Sequence, residues 1–207
     1  ICVEDTHNRA GGTVIPMNVL QKTYEVAKEH SIPVHMDGAR VFNAATYLKM
    51  PVSEIAQYAD SIMFCLSKGL CAPVGSIIAG TTDFIARARR YRKMLGGGMR
   101  QAGFLAAAGI VALESMIERL SEDHENARRL AEGLASIPGI SIDMETIQTN
   151  IVICDIAGLS MTSGVLSKRL LEKGIKVNGG EDYSIRFVTH HGIDKDDVEK
   201  TIAAVKA

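Results

Sequence analysis

Three short apolar runs break off abruptly into small or charged residues. This repeated ending limits the folds open to the chain more than any other feature. Ile62-Met63-Phe64-Cys65-Leu66 reads as a buried strand and stops at Ser67-Lys68-Gly69. Ile32-Pro33-Val34-His35-Met36 stops at Asp37-Gly38-Ala39-Arg40, and residues 1–3 run into Glu4-Asp5-Thr6-His7-Asn8. Between the last two, Leu20, Tyr24, Val26 and Ala27 recur at helical spacing as far as His30. Strands alternating with helices predict βαβ units and a largely parallel sheet, hence an α/β fold. In open sheets of this kind ligands sit outside the carboxyl ends of the strands. The polar strand ends are therefore the candidate site.

Lys68 is the most suggestive of these residues. A lysine closing a buried strand is unusual, because long charged side chains are rarely inside. Desolvation or neighbouring cations can lower a lysine pKa far enough for the amine to attack a carbonyl. The plainer alternative is a surface lysine in a loop. Asp37 has an alternative as the N-cap of a following helix, and Arg40 as a surface partner for a nearby acid. Arg186 lies inside the apolar run Ser184-Ile185-Arg186-Phe187-Val188 and is followed by His190-His191. An acid, a lysine and two arginines have a joint meaning that each lacks alone. Pyridoxal phosphate needs a lysine for a Schiff base and an acid for its ring nitrogen. The planar fork of arginine suits an amino-acid carboxylate.

The remaining segments divide the chain in two. Pro16 opens the first helical segment, Phe42-Asn43-Ala44-Ala45 continues as a helix after Arg40, and Ser53 caps a short helix through Tyr58. Residues 75–80 predict another strand, and Thr82 or Asp83 caps a basic helix. Six basic residues stand between positions 87 and 100, among them Lys93 and Arg100. They read either as a phosphate site or as a solvated face. Residues 99–135 predict one long helix, Ala-rich first and charged later, ended by Pro138-Gly139. Beyond it, residues 140–144, 151–154, 175–177 and 184–188 predict strands. Thr162 or Ser163 opens a helix to Lys173, and Asp194 caps a last helix to Ala204. The expectation is a large domain over residues 1–120 and a small α+β domain over residues 121–207.

Composition excludes several classes. Of 207 residues, 46% are hydrophobic and 23% charged, with a net charge of −1. That balance gives no basic field for nucleic acid and no polybasic run for anionic lipid. No apolar segment approaches the roughly 18 residues that span a bilayer. The four cysteines stand mostly in apolar runs and form no Cys-x-x-Cys pair. They predict reduced core residues of a cytoplasmic protein and no metal site. The chain opens on Ile1-Cys2-Val3-Glu4, as if in the middle of a strand, which predicts a piece of a longer protein.

Five blocks carry a resemblance. They are Glu4-Asp5-Thr6-His7-Asn8 with Gly11-Gly12, His35-Met36-Asp37-Gly38-Ala39-Arg40, residues 65–75, residues 95–103, and Arg186-Phe187-Val188-Thr189-His190. In this order, over nearly the whole chain, they closely resemble the L-threonine aldolase family. The resemblance implies the fold type I architecture of pyridoxal-phosphate enzymes, with a mixed, mostly parallel sheet. It implies pyridoxal 5′-phosphate held by Lys68 as a Schiff base, with Asp37 facing the pyridine nitrogen. It implies that Arg40 and Arg186 hold the substrate carboxylate, and that Arg40, Ser67, Lys93 and Arg100 lie near the cofactor. Lys93 and Arg100 would serve the site of a neighbouring subunit. The implied reaction is reversible cleavage of L-threonine or L-allo-threonine to glycine and acetaldehyde, in a homotetramer with shared active sites. His7, His190 and His191 are expected as hydrogen-bonding loop residues. The family usually has Asn where this chain has Asp5. Its phosphate-binding loop and ring-stacking histidine belong to an N-terminal portion outside these residues. Another pyridoxal-phosphate enzyme of the same fold (a transaminase, racemase or hydroxymethyltransferase) and an inactive assembly module stay open as alternatives.

Overall fold

The computed structural model describes residues 1–207. It contains eight α-helices and six strands, arranged in two compact units. The first unit comprises Ile1–Thr6 and Val14–Leu120, and the second His7–Thr13 and Ser121–Ala207. The loop 7–13 therefore belongs with the second unit, although the chain order alone put it with the first.

In the first unit, β1 (Cys2–Glu4), β2 (His35–Asp37), β3 (Ser61–Cys65) and β4 (Ser76–Gly80) form one sheet in that order. β1, β2 and β3 run parallel, with Glu4 opposite Asp37 and Asp37 opposite Met63. β4 returns antiparallel beside β3. The helices are α1 (Met17–Glu29), α2 (Val41–Leu48), α3 (Val52–Ala56), α4 (Thr82–Met94) and α5 (Gly103–Ser115). Met36, at the centre of β2, is fully buried among Val14, Leu20, Val41, Ala44 and Ile55. Thr81 caps α4, its side chain accepting the Phe84 N–H, one residue earlier than the composition suggested. α3 starts after Pro51, which pre-sets the backbone at the helix entry, and so Ser53 is not its cap.

The second unit packs α6 (Leu120–Ala135, all but its first residue), α7 (Ser163–Glu172) and α8 (Lys195–Lys206) with the antiparallel pair β5 (Ile151–Asp155) and β6 (Ser184–Val188). Leu130, Leu134, Val152, Ile156, Leu170 and Ile185 form its core. Asp194 caps α8 through the N–H groups of Asp196 and Asp197, and Asp197 answers through the Asp194 N–H. This reciprocal cap satisfies helix-end donors that have no partner within the helix. Asp194→Ala should lower stability by about 1 kcal/mol, read as a lower urea midpoint with an unchanged slope.

Three expected elements differ. Residues 140–144 form no strand: only Ser141 pairs, with Asp155, and Asp143 then caps a short 3-10 turn at Met144–Thr146. Residues 175–177 likewise form no strand, and the neighbouring Asn178 makes a single bridge to Arg186. The expected single helix over 99–135 is two, α5 and α6. The acids Glu122 and Asp123 in the first turn of α6 favour a fresh helix N-terminus there. No helix is long and apolar enough to cross a membrane.

Candidate active site

The parallel register carries Glu4, Asp37 and Cys65 to one edge of the first unit's sheet, the edge where β1, β2 and β3 end. Asp37 is exposed there, and its Oδ1 accepts the Ala39 N–H at 3.1 Å. Its backbone is tied on both sides. The Asp37 carbonyl accepts the Asp5 N–H at 2.9 Å, and the next N–H, from Gly38, donates to the Met63 carbonyl at 2.8 Å. A Cβ at Gly38 would lie 2.9 Å from that carbonyl oxygen, so only glycine lets the chain turn this close to β3. The turn closes with Val41 N–H to Gly38 O at 2.8 Å and delivers Arg40 as the N-cap of α2. The cap position thus falls to Arg40 and not to Asp37, which leaves the Asp37 carboxylate at the strand end.

Ser67 and Lys68 follow β3 at the same edge, and both are exposed. The burial expected of Lys68 from an apolar strand is not found, because β3 itself is only half-buried beyond Ser61. The turn carrying Lys68 is nonetheless well held. Cys71 N–H donates to the Lys68 carbonyl at 2.9 Å, Ala72 N–H to Leu66 O at 3.0 Å, and Leu66 N–H to Gly75 O at 2.9 Å. Cys71 adopts a left-handed φ of 60° to make this turn. Gly69 and Leu70 are buried directly after the exposed lysine. Lys93, in the last turn of α4, and Arg100, beyond it, are exposed.

Arg186 belongs to the second unit. On β6 its neighbours Ile185 and Phe187 are buried while Arg186 is exposed, as strand alternation requires. Its Nη1 donates to Asn8 Oδ1 at 2.8 Å. Asn8 carried no role in the sequence reading, because nothing local links it to a residue 178 positions away. His7 Nδ1 accepts the Ala10 N–H, and His190 Nδ1 donates to the His191 carbonyl at 2.7 Å. The cysteines depart from the expected core placement. Cys2 and Cys71 are exposed, Cys65 is partly buried, and only Cys154 is buried. Burial pushes the Cys154 thiol up to about 12, which keeps it unreactive at neutral pH.

Asp5 is the other residue whose weight only the structure reveals. It is fully buried beside Asp37, with one carboxyl oxygen accepting the Ile15 N–H at 3.2 Å and the other without a partner. Burial raises its pKa to about 6, against the smaller opposing effect of that backbone bond.

Taken together, the first unit presents a primary amine, a carboxylate, a serine hydroxyl and the cap arginine of α2. The amine and the carboxylate are exposed at the ends of adjacent parallel strands. This donor set suits a cofactor that carries an aldehyde and a basic ring nitrogen.

The family model for beta-eliminating lyases matches residues 1–157. The chain is 44% identical over 204 residues to low-specificity L-threonine aldolase 1 of Arabidopsis thaliana, covering 98% of this chain and 57% of that protein. It therefore spans little more than half the length of that relative. Among solved structures, a Listeria monocytogenes protein assigned provisionally as an L-allo-threonine aldolase superposes with a TM-score of 0.82 at 20% identity, over 99% of this chain and 60% of its own. A PLP-dependent aminotransferase from Streptococcus suis superposes with a TM-score of 0.75 at 19% identity, over 100% of this chain and 56% of its own. The fold is thus the one these proteins share.

Proposed function

Because the chain belongs to the beta-eliminating lyase family, we propose that it forms part of a pyridoxal-phosphate-dependent aldolase that cleaves L-threonine and L-allo-threonine reversibly to glycine and acetaldehyde. The observation that carries this reading is an exposed Asp37 at the end of β2 and an exposed Lys68 three residues beyond the end of the adjacent parallel β3. Lys68 holds the cofactor covalently through its amine. Asp37, its carboxylate oriented by the Ala39 N–H, would hold a proton on the pyridine nitrogen. Ser67 lends its hydroxyl to the cofactor phosphate. Lys93 and Arg100 bring positive charge toward the cofactor of a neighbouring subunit. Such a cofactor would supply an electron sink for the carbon whose bond is cleaved.

The substrate carboxylate needs a cation held in a fixed orientation. Arg186 has one, since Asn8 fixes its guanidinium from the side. Arg40, set by the helix start that follows Asp37, is the first unit's own candidate for a substrate carboxylate. A cytoplasmic homotetramer with shared sites is part of the proposal. Its support is α5, apolar on all sides yet buried only at Gly109 and Ala112. Phe104 on α5 and the nearby Leu95 are 92% and 86% exposed, a surface that calls for a cover.

The test is product analysis with L-threonine as sole substrate. An aldolase releases acetaldehyde and glycine with no acceptor present. Transfer of the amino group, inversion at Cα, or dependence on a one-carbon acceptor would each reject the aldolase reading. Asp37→Asn should lower kcat on the order of 10²-fold, because an electrostatic partner of the reacting system is lost. Cofactor capture should change far less. A near wild-type kcat would remove Asp37 from this role.

A further inference from the structure

α2 carries more than Arg40. One helical turn after Arg40 comes Asn43, which is only 2% exposed although its side chain is an amide. Its neighbours in the helix, Val41, Ala44 and Ala45, are buried apolar residues. A buried amide is held by its hydrogen bonds, and leaving such a group without partners is costly. A leucine would fill a comparable space without that demand, so the amide calls for a specific account.

The Asn43 amide stands beside the turn after Lys68. A Cβ built at Gly69 would stand 3.4 Å from Asn43 Oδ1, 3.8 Å from Asn43 Nδ2 and 2.8 Å from Leu120 Cδ2. A side chain at Gly69 would run into Leu120 and lie against the Asn43 amide, so both residues stand close to the residue after Lys68. Gly69 fits because it has no side chain. The turn is exposed at Ser67 and Lys68 and buried from Gly69 onward, so the Asn43 contact falls where the chain enters the core. Asn43 also sits on α2, which follows the end of β2 at Asp37 after the turn at Gly38 and has Arg40 as its N-cap.

We propose that Asn43 is a positioning residue for Lys68: it locks the Lys68–Gly69 turn to the start of α2 and so sets the lysine amine relative to the Asp37 carboxylate. The inference rests on the reading of Lys68 as the amine that takes the cofactor. Asn43 acts through the turn backbone and touches no reacting atom. Misplacing a reacting group by about 1 Å can cost on the order of 10²-fold.

The experiment treats the purified protein and Asn43→Ala with limiting pyridoxal phosphate, fixes the product with borohydride, and quantifies modified Lys68 by peptide mapping. In parallel, the visible absorbance of the lysine-bound cofactor is titrated with pH, and the melting temperature is measured before cofactor is added. Ile55→Val, which trims a fully buried residue of α3, is the stability control. Asn43→Ala should reduce Lys68 modification about tenfold, as loss of a supporting contact does at other built sites, and shift the pH midpoint of the absorbance. Ile55→Val should lower the melting temperature while leaving modification and midpoint as in the wild type. Should Asn43→Ala fail to fold, Asn43→Ser removes the same contact and is held to the same result. Wild-type modification and an unshifted midpoint in a folded Asn43 variant would overturn the inference alone. An unmodified Lys68 in the wild-type protein would overturn the functional reading and this inference with it.

Discussion

Replacing Lys68 by alanine should abolish threonine cleavage, with a loss of roughly a thousandfold or more, as removal of a covalent catalyst does elsewhere. The same change should leave the fold intact. Lys68 is exposed, and the contacts that hold its turn are backbone hydrogen bonds and the burial of Gly69 and Leu70. An exposed substitution of this kind shifts stability by no more than about 0.5 kcal/mol. The two measurements together separate chemistry from scaffolding: turnover falls by orders of magnitude while the urea midpoint stays in place. Lys68→Arg should fail almost as completely. A guanidinium keeps its charge at any working pH and does not supply the neutral amine that covalent attachment needs. Substantial turnover in Lys68→Arg would mean that the charge, and not the amine, is what the site uses.

Asp5→Asn should stabilise the protein, and only above acidic pH. Asp5 is fully buried, has one backbone donor at 3.2 Å, and its second oxygen has no partner. Its pKa in the folded protein is raised from 3.8 to about 6, mainly by burial. The folded state therefore holds this proton more tightly than the unfolded chain. Below pH 3.8 both states are protonated, and Asp5 costs nothing. As pH rises from there toward 6 the unfolded state gives up its proton first, and stability falls. Above that window the full penalty applies, on the order of 3 kcal/mol at about 1.4 kcal/mol per pKa unit. Asparagine has nearly the same shape and never ionises. The variant should melt higher than wild type at pH 7.5, by about 5–10 °C for a chain of this size, and no higher at pH 3.5. Equal melting curves at both pH values would mean that water or a cation reaches the Asp5 carboxylate.

Much of the first unit was legible because its strands are short apolar runs that end where polar residues begin. Asp37 and Lys68 could be assigned to strand ends from Met36 and Leu66 alone. Two parallel strand pairs then bring those ends to one edge, as the spacing of strands and helices implies. The antiparallel return of β4 was less visible, since nothing in Ser76-Ile77-Ile78-Ala79-Gly80 distinguishes direction. The break between α5 and α6 contains neither glycine nor proline, and its one sequence mark is the pair Glu122 and Asp123. The strand predicted over residues 140–144 failed because Asp143 turns its carboxylate to the Glu145 N–H and stops extended pairing.

The supporting residues of the site were harder to read, and for a common reason. Asn8 and Asp5 meet partners distant in sequence, Arg186 and Ile15, and the Asn43 amide lies close to Gly69. A polar residue in a loop or on a helix carries no mark of which backbone it will meet. Asn43 stands in the helical run Val41-Phe42-Asn43-Ala44-Ala45, where its polarity amid apolar neighbours was the one available hint. Asp5 stood out only by comparison, where the family usually has asparagine. Arg186 was easier, because a charged residue alternating with buried Ile185 and Phe187 must face away from the core of its unit.

If Lys68 is the residue that carries the cofactor, borohydride trapping will find it there. The purified protein is mixed with pyridoxal phosphate, reduced with borohydride and digested, and the modified lysine is located by mass spectrometry. The account predicts a visible absorbance that reduction removes, with the reduced cofactor found on Lys68. Modification spread over surface lysines such as Lys22 and Lys49, with none enriched on Lys68, would contradict it.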